Sequence, residues 1–392
     1  MPFAVAMLLT FGRTGFLPII EVYTPFDYAV NVFVVLIAPV FAIIGFAGVL
    51  SGRYLKVVAP VGLLAAWVAI RVFASRREYW PHYSMIITIL LALLLASQIT
   101  QWELRRLRHC MLVVSALFCV FLLVFGRELL FDITAGWTKR RRVGMEVSAG
   151  NVIAYPRVLY MLVFTCFATV LIEKRKWLKL AAIGMMIPPT IVGLSTGGRG
   201  ALLALVVAIL AFVLGLRQKL MYLAALPVVA VFGTVGVKLA RTFAPLMVER
   251  ITSADDSGRL GLYREALSDI SLFGRGPSAY YAHNIFLEFL QDYGVVGLLL
   301  FCAALVTTVG CLWRLYSRTR DLEVLWAGGL LVLQMVAQQL SLNIFYGFFW
   351  AAFVLPLGLA ARPVFWRESP NELVDADESF ERMSSEQLVR QV

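Results

Sequence analysis

YAHNIFLEFLQDYGVVGLLL, residues 281–300, decides the fold. It opens polar with His283 and Asn284, carries Glu288 and Asp292, and then turns apolar as far as Trp313. An apolar run of about 20 residues is the length that crosses a bilayer as a helix. Comparable runs recur at 3–20, 29–50, 56–74, 84–101, 110–126, 152–173, 178–195, 200–216, 219–238, 286–313, 323–342 and 344–362. The chain of 392 residues is 60% hydrophobic and only 15% charged. Soluble domains carry roughly 25% charged residues. The pattern predicts an all-α, polytopic integral membrane protein with about 12 transmembrane helices; a β-barrel would show short alternating segments instead.

Residues 1–362 read as one transmembrane domain, and 363–392 as a polar, acidic cytoplasmic tail. The N-terminal run lacks a basic leader region and reads as a first helix. Two connections are long, 127–151 and 239–285. An even number of spans puts both termini on one side. With that side cytoplasmic, the basic stretches SGRYLK (51–56), WELRRLRH (102–109), EKRKWLK (173–179), RQK (217–219) and RLYSRTRD (314–321) become short inner loops, as the positive-inside rule requires. The net charge of +11 is then a topology signal before it is a nucleic-acid signal. Both long connections and the 195–199 turn fall outside.

Those outer segments are also basic. Arg71, Arg76 and Arg77 flank one span. Arg127, Lys139, Arg140, Arg141 and Arg142 fill the first long connection. Arg241, Arg250, Arg259, Arg264 and Arg275 fill the second. Either the topology is inverted or these arginines serve a function. The tight loops weigh more in the rule, which favours function. Guanidinium forks bind phosphate and carboxylate bidentately, so an anionic ligand at headgroup level is expected. Contact with anionic membrane lipids is the bland alternative.

Three stretches could carry chemistry. In LSTGGRGALLALVVAIL, from Leu194, a glycine-rich turn precedes Arg199 at the start of a span. Exposed N–H groups and the helix dipole favour an anion there; a snorkelling arginine is the alternative. In DDSGRLGLYREALSDISLFGRGPSAYYAHN, 255–284, Leu260, Tyr263, Leu267 and Ile270 recur at helical spacing from Arg259. Gly274, Gly276 and Pro277 then punctuate a turn, so this loop folds back against the membrane. Asp255–Asp256 reads as a turn. The third stretch is the opening one. Asn284 is a good N-cap, which sets His283 just before a helix N-terminus. The dipole there keeps an imidazole neutral and able to accept a proton; a structural interfacial histidine is the alternative. His82 and His109 lie in short loops. The five cysteines fall in or beside apolar runs and read as small hydrophobes, and no motif for a metal or cofactor appears.

His283-Asn284-x-x-Leu287 followed by Asp292, Gly294 and Gly297 resembles a signature of the O-antigen ligase and polymerase superfamily. STGGRGALLAL is similar to that family's small-polar turn, with Gly198 where serine is common. SGRLGLYREAL with LFGRGP is similar to its arginine–aromatic and G-x-G segment, with Tyr263 where tryptophan is frequent. Asn151 matches the asparagine that opens a middle span. The resemblance covers essentially the whole chain. It implies a GT-C-like glycosyltransferase of the bacterial inner membrane with a partly helical periplasmic loop. The donor would be a glycan on undecaprenyl pyrophosphate and the acceptor the lipid A–core oligosaccharide, joined at the periplasmic face by inversion. It implies no metal, no cofactor and no nucleic-acid partner. By the same resemblance His283 is the catalytic residue, deprotonating or orienting the acceptor hydroxyl, and Arg199 and Arg259 hold the donor pyrophosphate; Arg275 is a further candidate for that role with a less clear match. Asn284, Arg142, Arg264 and Tyr263 support them. The single well-developed loop favours a ligase over a polymerase of the same superfamily. A transporter or flippase of an anionic lipid-linked sugar is the reading from a different class, and would bring duplicated halves and broken helices at mid-membrane.

Overall fold

The computed structural model describes residues 52–75, parts of 85–96, 101–125, 154–195, 199–216, 259–276 except 269, 284–340 and 347–361. Every regular element among the described residues is a helix: α1 (Gly52–Ala74), α2 (Gln101–Phe125), α3 (Ala154–Ile172), α4 (Lys176–Ser195), α5 (Arg199–Gly215), α6 (Arg259–Ser268), α7 (Ile285–Thr319), α8 (Leu322–Leu340) and α9 (Gly347–Ala360). Four of them, in α1, α2, α4 and α7, are long and apolar enough to cross a membrane, and shorter apolar helices lie in α3, α5 and α9. The protein is a helical membrane protein. The expected spans 3–20, 29–50 and 219–238, connection 127–151 and tail 363–392 lie outside the described residues.

Several sequence boundaries move. SGRYLK is helical from Gly52, and RLYSRTRD is helical as far as Thr319. WELRRLRH is not a loop. α2 begins at Gln101, so these residues are its first turns, and His109 sits on a helix rather than in a loop. The reason is that a helix need not end where the hydrocarbon does. Arg105 and Arg106 face outward from these turns, while Arg108 is fully buried in the bundle. The span expected at 286–313 is likewise one part of a longer helix, α7, which is broken at Gly294 (φ 74, ψ −172).

In lipid, helices gain little from burying apolar surface against one another, so association rests on close packing and interhelical hydrogen bonds. Both are present. A methyl group at Gly329 of α8 would overlap the Phe164 ring of α3, and one at Gly358 of α9 would overlap the backbone of Ala96. Phe289 and Phe301 of α7 stack at 4.6 Å between centroids and pack with Phe349, Trp350 and Phe353 of α9. α3 carries a polar stripe at four-residue spacing. Arg157 donates to the Ala337 carbonyl. Met161 Sδ accepts from Gln334. Thr165 accepts from Trp326 Nε1 (3.4 Å). Thr169 accepts from Arg108 Nη1 (3.0 Å). Glu173 follows at the end of the stripe. The partners 337, 334 and 326 descend along α8, so α3 and α8 run antiparallel in fixed register.

These contacts sort the helix ends into two groups. At one, the ion-pair end, Arg108 grips both oxygens of Glu323 at 2.8 Å and lies 3.7 Å from Glu173. His109 Nε2 lies 3.3 Å from the same Glu173, and Tyr316 donates to the Gly215 carbonyl at the end of α5. Burial alone would raise the Glu173 carboxyl. Hydrogen bonds with His109 and from the N–H groups of Lys174 and Arg175, with the Arg108 charge, outweigh it and hold the group below the usual carboxylate range. The opposite end gathers the C-terminus of α1, segment Ser271–Gly276 and the start of α7.

Candidate functional site at the clip end

α7 is two helices in line. Asn284, in extended conformation, caps the first: its Oδ1 accepts from the N–H of Phe286 (3.0 Å) and of Leu287 (3.3 Å). The first segment, Ile285–Tyr293, is buried and includes Glu288, Gln291 and Asp292, each under 5% exposed. Beyond the break Leu299 (63%), Val306 (72%) and Trp313 (73%) are open, as lipid-facing residues are. Val295–Trp313 alone supplies the roughly 20 residues that hydrocarbon requires. The whole of α7 would be about 52 Å long at 1.5 Å per residue. The first segment, with its buried Glu288, Gln291 and Asp292, is therefore not needed for the crossing.

A broken helix exposes carbonyls on one side and N–H groups on the other, and each must find a partner. Segment Ser271–Gly276 supplies them. The N–H groups of Arg275 and Gly276 donate to the carbonyls of Gln291 (2.9 Å) and Asp292 (3.0 Å). The N–H groups of Val295 and Val296 donate to the carbonyls of Ser271 (3.1 Å) and Leu272 (3.2 Å). The segment is a clip inserted in the break. Its approach requires glycine on both sides. A Cβ at Gly274 (φ 77) would lie 2.5 Å from the Asp292 carbonyl oxygen, and one at Gly294 would overlap Gly274 N and the Leu272 carbonyl. α1 closes the assembly. Trp67 Nε1 donates to the Tyr293 carbonyl at 3.0 Å, Arg71 Nη2 donates to the Gly274 carbonyl at 2.9 Å, and the Trp67 and Phe273 rings lie 5.9 Å apart.

The sequence-predicted residues fall as follows. Arg275 sits on the clip, its backbone fixed to α7 and its side chain exposed. Arg264 is exposed and Tyr263 half-buried on α6, which packs against α7. Arg259 is the first residue of α6, and its side chain lies outside the described residues. Arg199 is the first residue of α5 and is half-buried. Because Gly215 at the other end of α5 meets Tyr316 at the ion-pair end, Arg199 belongs to the clip end. α8, which packs against both α5 and α7, joins it to the assembly. Asn284 caps α7 as expected. His283, Arg142, Asn151, His82 and Asp255–Asp256 lie outside the described residues.

Three further residues are not singled out by sequence pattern. Arg157, fully buried near the start of α3, is hidden within an apolar run. An ionisable residue inside a span is the signal that could find it, since such residues are expensive and usually have a task. Trp67 is an indole in a run of hydrocarbon. Arg71 counts in the sequence only as one more outer charge, and its carbonyl partner is 203 residues away. No protein-family model matches the chain, and no curated protein matches it.

Proposed function

We propose that this chain is a bacterial inner-membrane glycosyltransferase, an O-antigen ligase, with the clip end facing the periplasm. One observation carries the reading. Parts of two of the stretches on which the resemblance rests, Leu272–Gly276 and the helix that Asn284 caps, meet through Gly274 and Gly294. The loop that carries Arg275 thus meets the helix whose N-cap, Asn284, directly follows His283 in the sequence.

In this reading an acceptor hydroxyl of the lipid A–core attacks the anomeric carbon of a glycan on undecaprenyl pyrophosphate. His283 takes the hydroxyl proton, the C–O bond to pyrophosphate breaks, and configuration inverts. Arg199, Arg259 and Arg275 receive the growing negative charge on the leaving pyrophosphate, the office a metal ion performs elsewhere. The exposure of Arg275 and Arg264 suits an anionic ligand arriving from outside the bundle. His283→Ala in membranes, at normal expression, is expected to abolish transfer; full retention would remove the base assignment. A deletion strain is expected to lose the lipopolysaccharide ladder and accumulate long lipid-linked polymer. Accumulation of single repeats would instead make the protein a polymerase.

The broken α7 favours a second reading, a transporter or flippase, since such proteins bind substrates at helix breaks. One feature weighs against it: the clip already holds the two N–H groups and two carbonyls that a substrate would use. Uptake of lipid-linked sugar into sealed vesicles, without glycan transfer, would favour the transporter.

A further inference from the structure

We propose that Arg71 and Trp67 of α1 are positioning residues of the clip-end site. They hold Ser271–Gly276 in the break of α7 and so fix where Arg275 stands. The inference rests on reading this end as the reaction site.

Four backbone hydrogen bonds attach the two ends of the clip, Ser271–Leu272 and Arg275–Gly276, to α7. A second element, α1, holds its middle. Arg71 Nη2 holds the Gly274 carbonyl at 2.9 Å, at the residue whose positive φ turns the clip. Trp67 donates to the Tyr293 carbonyl, the last of the first α7 segment, and its ring packs on Phe273. Gly297, one turn beyond the break, lies against Tyr293 and Trp67: a Cβ there would overlap Tyr293 Cβ at 2.3 Å and lie 3.3 Å from Trp67 Nε1. At the clip's far side, a Cβ on Gly276 would lie 3.0 Å from Ser75 Cβ, at the end of α1. Thus α1 touches the clip at Phe273, Gly274 and Gly276, and Arg275 lies between two held residues. Arg275 is exposed while the backbone around it is fixed on both sides. A charge held that way is preorganised for an anion, and misplacement by about 1 Å can cost about a hundredfold in rate.

The test is Arg71→Met in the full-length protein in detergent or proteoliposomes. Arg71→Lys serves as the conservative control, since it restores one donor of similar reach. Trp67→Phe removes the indole N–H and keeps a ring. Two quantities are read. Hydrogen exchange of the amides of Arg275, Gly276, Val295 and Val296 reports the clip without reference to activity. Steady-state transfer reports the site. Arg71→Met is expected to speed exchange at these amides by about tenfold and lower kcat/KM for the lipid-linked donor by about tenfold to a hundredfold. The acceptor KM should be unchanged, and Arg71→Lys should recover most of both effects. Trp67→Phe should shift both in the same direction by less. Unchanged exchange in Arg71→Met overturns the proposal, as does faster exchange with donor kinetics intact. If the wild-type protein transfers no glycan, the function reading fails instead, and the exchange data still decide whether α1 holds the clip.

Discussion

At the scale of single residues, Gly294 is the hinge of the structure. Its φ and ψ lie in a region open essentially only to glycine, and Gly274 of the clip rests against it with no room for a side chain. Gly294→Ala therefore meets both a backbone cost of about 1–3 kcal/mol and a direct overlap. It is expected to lower the thermal midpoint in detergent and expose the amides of Val295 and Val296. A Cβ at Gly261 of α6 would have nothing within 4 Å. Gly261→Ala should be neutral or stabilising by up to about 1 kcal/mol, since alanine favours a helix. Equal midpoints for the two variants would contradict a clip seated in the break. The G-x-x-G spacing of the sequence thus has a local cause. The first glycine turns the chain and admits the clip, and the second admits the Tyr293 side chain across the break, with Trp67 next to it.

At the scale of elements, capped or glycine-marked helix starts are legible in the sequence, while basic starts such as that of α2 and helix partners are not. Asn284 announces a cap through its side-chain chemistry, Arg259 and Arg199 stand where periodicity begins, and Gly274 and Gly276 mark a turn. Each of these signals is local. The break in α7 is hidden because hydropathy treats Phe289 and Val295 alike, and the clip that satisfies it arrives from another part of the chain. Arg108 reads as a loop residue for the same reason: Glu323, which makes its burial tolerable, is 215 residues away. That pair also yields an expectation. Removing one member of a buried ion pair leaves an uncompensated charge and costs about 3–5 kcal/mol, while replacing both with apolar residues is often neutral. Arg108→Met should destabilise strongly, leaving Glu323 beside Glu173 without the guanidinium between them. Arg108→Met with Glu323→Met should recover much of the loss in the same thermal assay. Additive losses in the double variant would mean that the pair does not set the register of α2 against α8.

At the scale of the molecule, the contacts divide the bundle into two ends of different character. The ion-pair end locks its acids inside and presents Arg105, Arg106, Lys174, Arg175, Lys176 and Arg320 outward. The clip end presents Arg264 and Arg275 beside exposed Leu267, Ile270, Leu272 and Phe273. Short, cation-rich connections stay in the cytoplasm under the positive-inside rule, so the ion-pair end should face inward and the clip end outward. Single cysteines at Lys174 and Phe273, both exposed, test this in a chain whose five native cysteines are replaced by alanine. In intact cells with a permeable outer membrane, a membrane-impermeant maleimide should label Phe273→Cys and spare Lys174→Cys. In inverted vesicles the order should reverse. Labelling of both from one side would break the two-ended arrangement itself. Labelling of Lys174→Cys alone in intact cells would invert the protein. That result would put the arginines of the clip end in the cytoplasm, where no periplasmic transfer could use them, and the proposed ligase would fall with its orientation.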